Sequence, residues 1–190
     1  MKLRALILST VLLTVAGPAF AHPGHVGSGF LHPFTGIDHV LAMVGVGMWA
    51  ALLAVRRPAA TFWLPTAFLL VMALGAAAGF AGIKLPFAEA GVLASIFMVG
   101  GLVAAGIRVP TSTAMLVVSW FAALHGYSHA LEAPAGDPGQ YVLGFLLATA
   151  LLLTAGLGLG SLVQRLVGGL GLRVFGGLVM AGGALVLATQ

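Results

Sequence analysis

Long apolar segments, almost free of charge, dominate this sequence and limit what it can fold into. Six of them can be separated at charges, prolines and turn-forming residues, and each approaches the roughly 20 residues that a membrane-spanning helix needs. They run approximately over residues 34–55, 60–82, 88–107, 112–132, 141–163 and 168–188. Because these runs lack the alternation of apolar and polar residues seen in barrel strands, they predict helices.

The charge content excludes a surface that faces water on all sides. Only 6% of the 190 residues are charged and 61% are hydrophobic, whereas about 25% of an ordinary soluble domain is charged. The net charge of +4 comes from scattered cations and does not indicate nucleic-acid binding. The sequence therefore predicts an all-α, polytopic membrane helix bundle whose partner is the lipid bilayer, with no nucleic acid.

Small residues predict that this bundle is tightly packed. The chain has 28 glycines, and two pairs of them, Gly75-x-x-x-Gly79 and Gly156-x-x-x-Gly160, have the spacing of close helix contacts in membranes. A tight bundle favours the passage of ions over that of bulky substrates.

Residues 1–21 have the pattern of a cleaved signal peptide. Lys2 and Arg4 precede an apolar stretch over residues 6–16, and Ala19-Phe20-Ala21 supplies the small residues at which a signal peptidase cuts. A short first transmembrane helix is the alternative. We expect cleavage, which leaves residues 22–190 as a single transmembrane helical domain with His22 outside the cytoplasm.

The remaining cations predict the orientation of the helices, because loops rich in Lys and Arg stay in the cytoplasm. If His22 is outside, six spans place one cation, Lys84, outside and five inside. The inside cations are Arg56, Arg57, Arg108, Arg165 and Arg173. We therefore expect about six transmembrane helices in a bacterial inner (cytoplasmic) membrane, with both ends of the mature chain in the periplasm.

Ionisable side chains within the spans are few, and the predicted topology places them all toward the outer leaflet. Such residues are costly inside a membrane and usually mark a site or a pathway. With no cysteine in the chain, a metal would need imidazole, carboxylate, thioether, backbone or water ligands. The candidate metal-binding residues are His32, Asp38, His39, Glu89, His125, His129 and Glu132.

The segment HGYSHALE at residues 125–132 carries three of these candidates. His125 and His129 are four residues apart, so they lie one turn apart on one helix face, and Glu132 continues that face. Two imidazoles at this spacing can chelate a divalent cation. The alternative is a pair of histidines that hydrogen-bond to neighbouring helices.

His32, Asp38 and His39 surround the start of the first predicted span. In one continuous helix, His32 and His39 would be about 10.5 Å apart along the axis, too far to share an ion. We expect Pro33 to drive His32 out of helical geometry, so that it folds back over Asp38 and His39. Asp38 and Glu89 could alternatively be acids that favour a helix N-terminus.

These motifs resemble those of the HupE/UreJ family of membrane proteins. The segment HPFTGIDHVLAMVGVGMWA at residues 32–50 resembles the family signature, with His32, Asp38 and His39 at its matching positions. LHGYSHALE at residues 124–132 resembles a second family pattern, and PFAEAGVLASIFMVG at residues 86–100 resembles the segment around the family's third-helix acid, here Glu89. The family often has another histidine in the fifth helix, which this chain lacks.

The resemblance implies a nickel permease, since family members accompany hydrogenase and urease gene clusters. We expect uptake of Ni²⁺, with Co²⁺ as a rival cargo, no tightly bound cofactor and no catalytic residue. Two other classes stay open. One is an accessory protein that captures a metal ion without transporting it, and the other is an intramembrane metal-dependent hydrolase, since His and carboxylate clusters can activate water. Homo-oligomerisation and handover to a metallochaperone also stay open.

Overall fold

The structure, a computed structural model, describes residues 26–189. The predicted signal peptide at residues 1–21, together with His22 and His25, lies outside the described residues. Within them the secondary structure is entirely helical. The helices are α1 (Val26–Thr35), α2 (Ile37–Ala54), α3 (Ala60–Phe80), α4 (Ala88–Ala104), α5 (Thr111–Leu131), α6 (Pro138–Leu166) and α7 (Gly169–Ala188).

The exposed surface of the bundle is that of a membrane protein. Large apolar side chains are exposed on the outer faces of several helices. A soluble protein rarely exposes a continuous apolar surface of this kind. The residues Leu70, Leu74, Leu116, Trp120, Leu170 and Leu185 are each 64–74% exposed. The predicted all-α membrane bundle is thereby confirmed.

Four of the described helices are long and apolar enough to cross a membrane: α2, α3, α6 and α7. The two remaining predicted spans correspond to α4, an apolar helix of 17 residues, and to α5, which carries the histidines. The number of six transmembrane helices therefore stays a prediction.

The chain before the first predicted span folds differently from our expectation. Residues 26–35 form the short helix α1, and His32 lies inside it together with Pro33. The helix tolerates Pro33 because it ends two residues later, so the missing N–H removes only a bond of its last turn. The break comes instead at Gly36, whose extended backbone (φ −90°, ψ 109°) separates α1 from α2.

Helix α6 begins and ends at residues that favour those boundaries. The Asp137 carboxylate accepts hydrogen bonds from the amides of Gly139 (2.8 Å) and Gln140 (3.4 Å), and Pro138 occupies the first turn. At the other end, Gly168 adopts φ 76°, which separates α6 from α7. The helix spans 29 residues, longer than the predicted segment 141–163.

Helices α3 and α5 approach so closely that their glycines interlock. A Cβ atom at Gly75 would collide with the backbone of Ala123 on α5, and one at Gly126 would collide with the backbone of Met72 on α3. At each glycine, the backbone of the other helix therefore packs into the space that a side chain would occupy. This contact fixes the position of the histidines that flank Gly126.

Helices α2 and α6 are joined in the same way. A Cβ atom at Gly47 would collide with the backbone at Leu153, and one at Gly156 with the backbone at Val44. The predicted role of the Gly75 and Gly156 motifs in close packing is therefore confirmed. Since α2 carries Asp38 and His39 in its first turn, this contact sets how far those side chains lie from α6.

Candidate metal centre

Five helix ends meet at one end of the bundle, and four of them carry the candidate metal-binding residues. His32 lies in the last turn of α1, while Asp38 and His39 lie in the first turn of α2. His129 lies in the last turn of α5 and Glu132 immediately follows that helix. Glu89 begins α4, and α6 closes the remaining side with its first turns.

A group of four donors forms where these ends meet. Each of His32, His39, His129 and Glu132 offers one ligand atom, and these atoms all lie within 4.8 Å of one another. Four ligands placed tetrahedrally around an ion, with bonds of about 2.1 Å, are about 3.4 Å apart. The widest separations in the group would therefore have to shorten by up to about 1.4 Å for all four donors to share one ion.

One edge of this group is a hydrogen bond between side chains that are distant in sequence. Nε2 of His32 lies 2.7 Å from Oε2 of Glu132. Both side chains are partly exposed, so this edge is open to solvent or to the headgroup region.

His39 is held by its sequence neighbour. Nδ1 of His39 lies 2.8 Å from Oδ1 of Asp38, and the carboxylate accepts the proton that Nδ1 carries. This bond makes Nε2 the nitrogen with the lone pair, and Nε2 is buried without a hydrogen-bond partner. A carboxylate that orients the ring of a metal-binding histidine is a common arrangement in metal sites.

His129 lies at the centre of the cluster and is fully buried. Its ring centroid is 4.5 Å from that of His39 and 5.0 Å from that of His32. Neither of its ring nitrogens has a hydrogen-bond partner. Buried polar atoms are normally paired, so the unpaired imidazole of His129 is available to a further partner.

A cavity of about 170 Å³ adjoins these donors. Asp38, His39, Glu89 and Glu132 line it, and its lining includes no lysine or arginine. Three carboxylates around one small cavity attract cations. Its size suits an ion with a few waters, whereas sites for organic ligands are commonly about 300–1,000 Å³.

His125 is fully buried and lies one helical turn deeper than His129. Its ring centroid is 5.5 Å from that of His39. Nδ1 donates a hydrogen bond to the carbonyl oxygen of Phe121 at 2.9 Å, which leaves the lone pair on Nε2, and Nε2 has no partner. This is the same tautomer control that Asp38 exerts on His39.

Helix α6 places a polar group at this deeper level as well. Phe145 stacks on His129, with ring centroids 4.8 Å apart. Helices α5 and α6 run in opposite directions here, so the residue one turn before His129 and the residue one turn after Phe145 lie at a similar depth. These residues are His125 on α5 and Thr149 on α6. The hydroxyl of Thr149 is buried without a hydrogen-bond partner.

The structure brings all seven candidate residues to one end of the bundle, in unequal roles. Four form the donor group, Asp38 bonds to His39, Glu89 lines the adjoining cavity, and His125 lies beneath. Sharing of one site by the residues of the first and fourth predicted spans thus agrees with the geometry. Their role as metal ligands stays a proposal.

Two aromatic residues of α6 complete the site and were missed in the sequence. Tyr141 has its ring centroid 6.0 Å from that of His32, and Phe145 stacks on His129. The Tyr141 hydroxyl is buried without a partner. The only signal was their spacing of four residues at the start of a span, which is also typical of ordinary packing.

The fold and the site define a class: a polytopic helical membrane protein with a partly buried cluster of imidazoles and a carboxylate. The family follows from sequence comparison. Residues 10–186 match the model of the HupE / UreJ protein family, so the chain belongs to that family.

One characterised relative is similar over nearly its whole length. It is Protein HupE of Rhizobium leguminosarum bv. viciae, 41% identical over 188 residues, which cover 95% of this chain and 96% of the relative. No solved structure matches the chain.

Proposed function

We propose that this protein is a permease that takes up Ni²⁺ and supplies it for the maturation of a hydrogenase or a urease. The observation that carries the proposal is the four-donor group of His32, His39, His129 and Glu132 at one end of a membrane bundle. Imidazole and carboxylate are donors that Ni²⁺ accepts, and Co²⁺ would use the same set. The family resemblance supports nickel as the cargo.

The buried polar groups beneath the donor group support transport. Nε2 of His125 and Oγ1 of Thr149 lie inside the bundle without hydrogen-bond partners. A protein that only captured an ion at its surface would gain nothing from donors one turn deeper, where unpaired polar atoms are costly. We therefore assign these two groups to the first inward step of the ion.

Capture without transport is the second candidate function, and one observation favours it. The chain has no His, Asp or Glu between residues 40 and 88, 90 and 124, or 138 and 190. Among residues 26–189, the end of the bundle opposite the donor group therefore has no imidazole or carboxylate to receive the ion. An accessory protein that hands the ion to a chaperone outside the membrane would have this distribution.

Uptake of radiolabelled nickel into cells that express the protein tests the leading function. We expect accumulation with the wild type, and loss of accumulation with His39→Ala and with His129→Ala at matched protein levels. Gly158→Ala is the matched control, because its added Cβ atom meets nothing within 4 Å and it changes no donor of the cluster. Wild-type uptake by His39→Ala would return these residues to a structural role.

A second measurement separates transport from capture. Purified protein is placed in liposomes that contain a nickel-sensitive dye, and nickel bound to the same protein is measured by equilibrium dialysis. A permease gives both binding and a rise of the internal dye signal. Binding at full stoichiometry with no dye signal, with and without a proton gradient, would favour the capture function.

A further inference from the structure

A second cavity lies at the end of the bundle opposite the histidines. It has a volume of about 300 Å³ and lies where the C-terminal ends of α2 and α4 meet the N-terminal end of α7. Leu52, Gly106 and Gly169 contribute to its wall, and two cations, Arg108 and Arg173, line it. Neither arginine belongs to the candidate metal centre.

Both arginines are positioned by the ends of neighbouring helices. Nε of Arg108 donates to the carbonyl oxygen of Leu52 at 3.4 Å, and Nε of Arg173 donates to the carbonyl oxygen of Ala104 at 2.9 Å. These carbonyls belong to the last turns of α2 and α4, which lack partners within their helices. Capping uses one N–H of each guanidinium and leaves its paired terminal N–H groups for another acceptor.

No aspartate or glutamate side chain of this chain neutralises these two cations. Asp38, Glu89 and Glu132 line the cavity at the other end, and Asp137 caps the start of α6 at that same end. The four acids of the sequence are thereby accounted for. Both guanidinium groups are exposed at this end of the bundle, and without an acidic side chain beside them they attract anions from outside the chain.

The start of α7 adds to the positive potential of this cavity. Gly169 and Leu170 are its first two residues, and no side chain caps their amides. The first N–H groups of a helix attract anions, and phosphate most of all. Outward from the cavity, Leu170 and Val174 are 70% and 57% exposed, so an apolar surface continues from it.

We propose that this cavity binds a phosphate group, through the terminal N–H groups of Arg108 and Arg173 and the first amides of α7. Phosphate matches the forked geometry of two guanidinium groups. The adjoining apolar surface suits the acyl chains of an anionic phospholipid, and basic pockets between transmembrane helices are known to hold such headgroups. Free phosphate has the same binding chemistry, so the test must separate the two sources.

Native mass spectrometry of the full-length protein measures the retained lipid directly. The protein in detergent is titrated with phosphatidylglycerol and, separately, with phosphatidylcholine, and inorganic phosphate is added as a competitor. We expect preferential retention of phosphatidylglycerol, weakened roughly fivefold by each of Arg108→Gln and Arg173→Gln. Arg56→Gln is the matched control, an exposed arginine outside the cavity lining, and it should leave retention unchanged.

Each outcome has a defined meaning. Retention of phosphatidylglycerol that millimolar phosphate does not displace identifies a lipid phosphate as the ligand. A rise in thermal stability with inorganic phosphate, lost in the double Gln variant and with no preference between lipids, identifies free phosphate. Equal retention of both lipids by the wild type and the double variant, with no effect of phosphate, overturns the proposal. Arg108→Lys and Arg173→Lys keep the charge and should retain part of the preference, which controls for misfolding.

Discussion

The carboxylate of Asp38 holds the ring of His39, with 2.8 Å between Oδ1 and Nδ1. The two residues are adjacent in the first turn of α2, so their contact survives any movement of that helix as a whole. Because the carboxylate accepts the proton of Nδ1, it determines which nitrogen of His39 can bind a metal. Asp38, which is not one of the four donors, thus determines which nitrogen His39 offers to the donor group.

Replacing Asp38 by Asn should weaken nickel uptake without removing a ligand. An amide presents either an acceptor or a donor to Nδ1, so the tautomer of His39 is no longer set, and changes of this kind typically cost about 10–100-fold in metal affinity. The measurement is nickel binding to the purified variant. Asp137→Asn is the control, since Asn keeps the helix cap, and equal affinities of the two variants would contradict the role of Asp38.

Gly36→Ala should disturb the contact between Asp38 and His39 by steric crowding. A Cβ atom there would lie 2.8 Å from Oδ1 of Asp38 and 3.0 Å from Nδ1 of His39, so one of them must move. The backbone at this position is extended and accepts alanine. We expect reduced uptake at normal protein levels, whereas Gly158→Ala, whose Cβ atom meets nothing within 4 Å, should behave as wild type. Full activity of Gly36→Ala would show that the contact is not needed.

Replacement of the two deeper groups should separate binding from passage. His125→Leu and Thr149→Val preserve much of the side-chain volume but remove the unpartnered polar atoms beneath the donor group. We expect at least tenfold slower uptake, with nickel binding within about twofold of wild type. A loss of binding in parallel with uptake would place His125 in the same donor set as His129.

Gly126→Ala should destabilise the protein by about 1–3 kcal/mol through overpacking. The added methyl group would meet the backbone of Met72 and, at 2.9 Å, the amide nitrogen of Ala76, and backbone atoms cannot move aside separately. The thermal unfolding midpoint in detergent measures the effect. Gly177→Ala adds the same group on α7 with nothing within 4 Å, so its midpoint should equal or exceed that of the wild type.

Cysteine labelling tests the orientation directly, because the natural chain has no cysteine. With six spans, single cysteines at Ala81 and Ala135 should react with an impermeant reagent added to intact cells. Those at Ala59 and Val167 should react only after the membrane is permeabilised. If Ala59 and Ala81 were labelled from the same side, the second predicted span would be wrong and the count of six would fall.

Most of the helical architecture could be predicted from the sequence. Apolar runs of the right length, cut by prolines and charges, located every long helix to within a few residues, since a membrane leaves a backbone few alternatives to the helix. Glycine spacing likewise predicted the tight contacts at Gly75 and Gly156. The exception was α1, because ten residues that include Pro33 carry little of the signal of a spanning helix.

The sequence identified the candidate polar residues, but it did not predict their positions relative to one another. Their scarcity in an apolar chain made all seven candidates visible, and the spacing of His125 and His129 placed both on one face. Which four form the donor group, however, depends on the break between α1 and α2 at Gly36 and on the glycine contacts that join α3 to α5 and α2 to α6. Those distances come from contacts between residues about 100 positions apart, as between His32 and Glu132. The sequence likewise did not show that Tyr141 and Phe145 lie beside the histidines, or that Arg108 and Arg173 line one cavity. The local pattern of residues determines where a helix forms, whereas the packing of the helices determines which side chains meet.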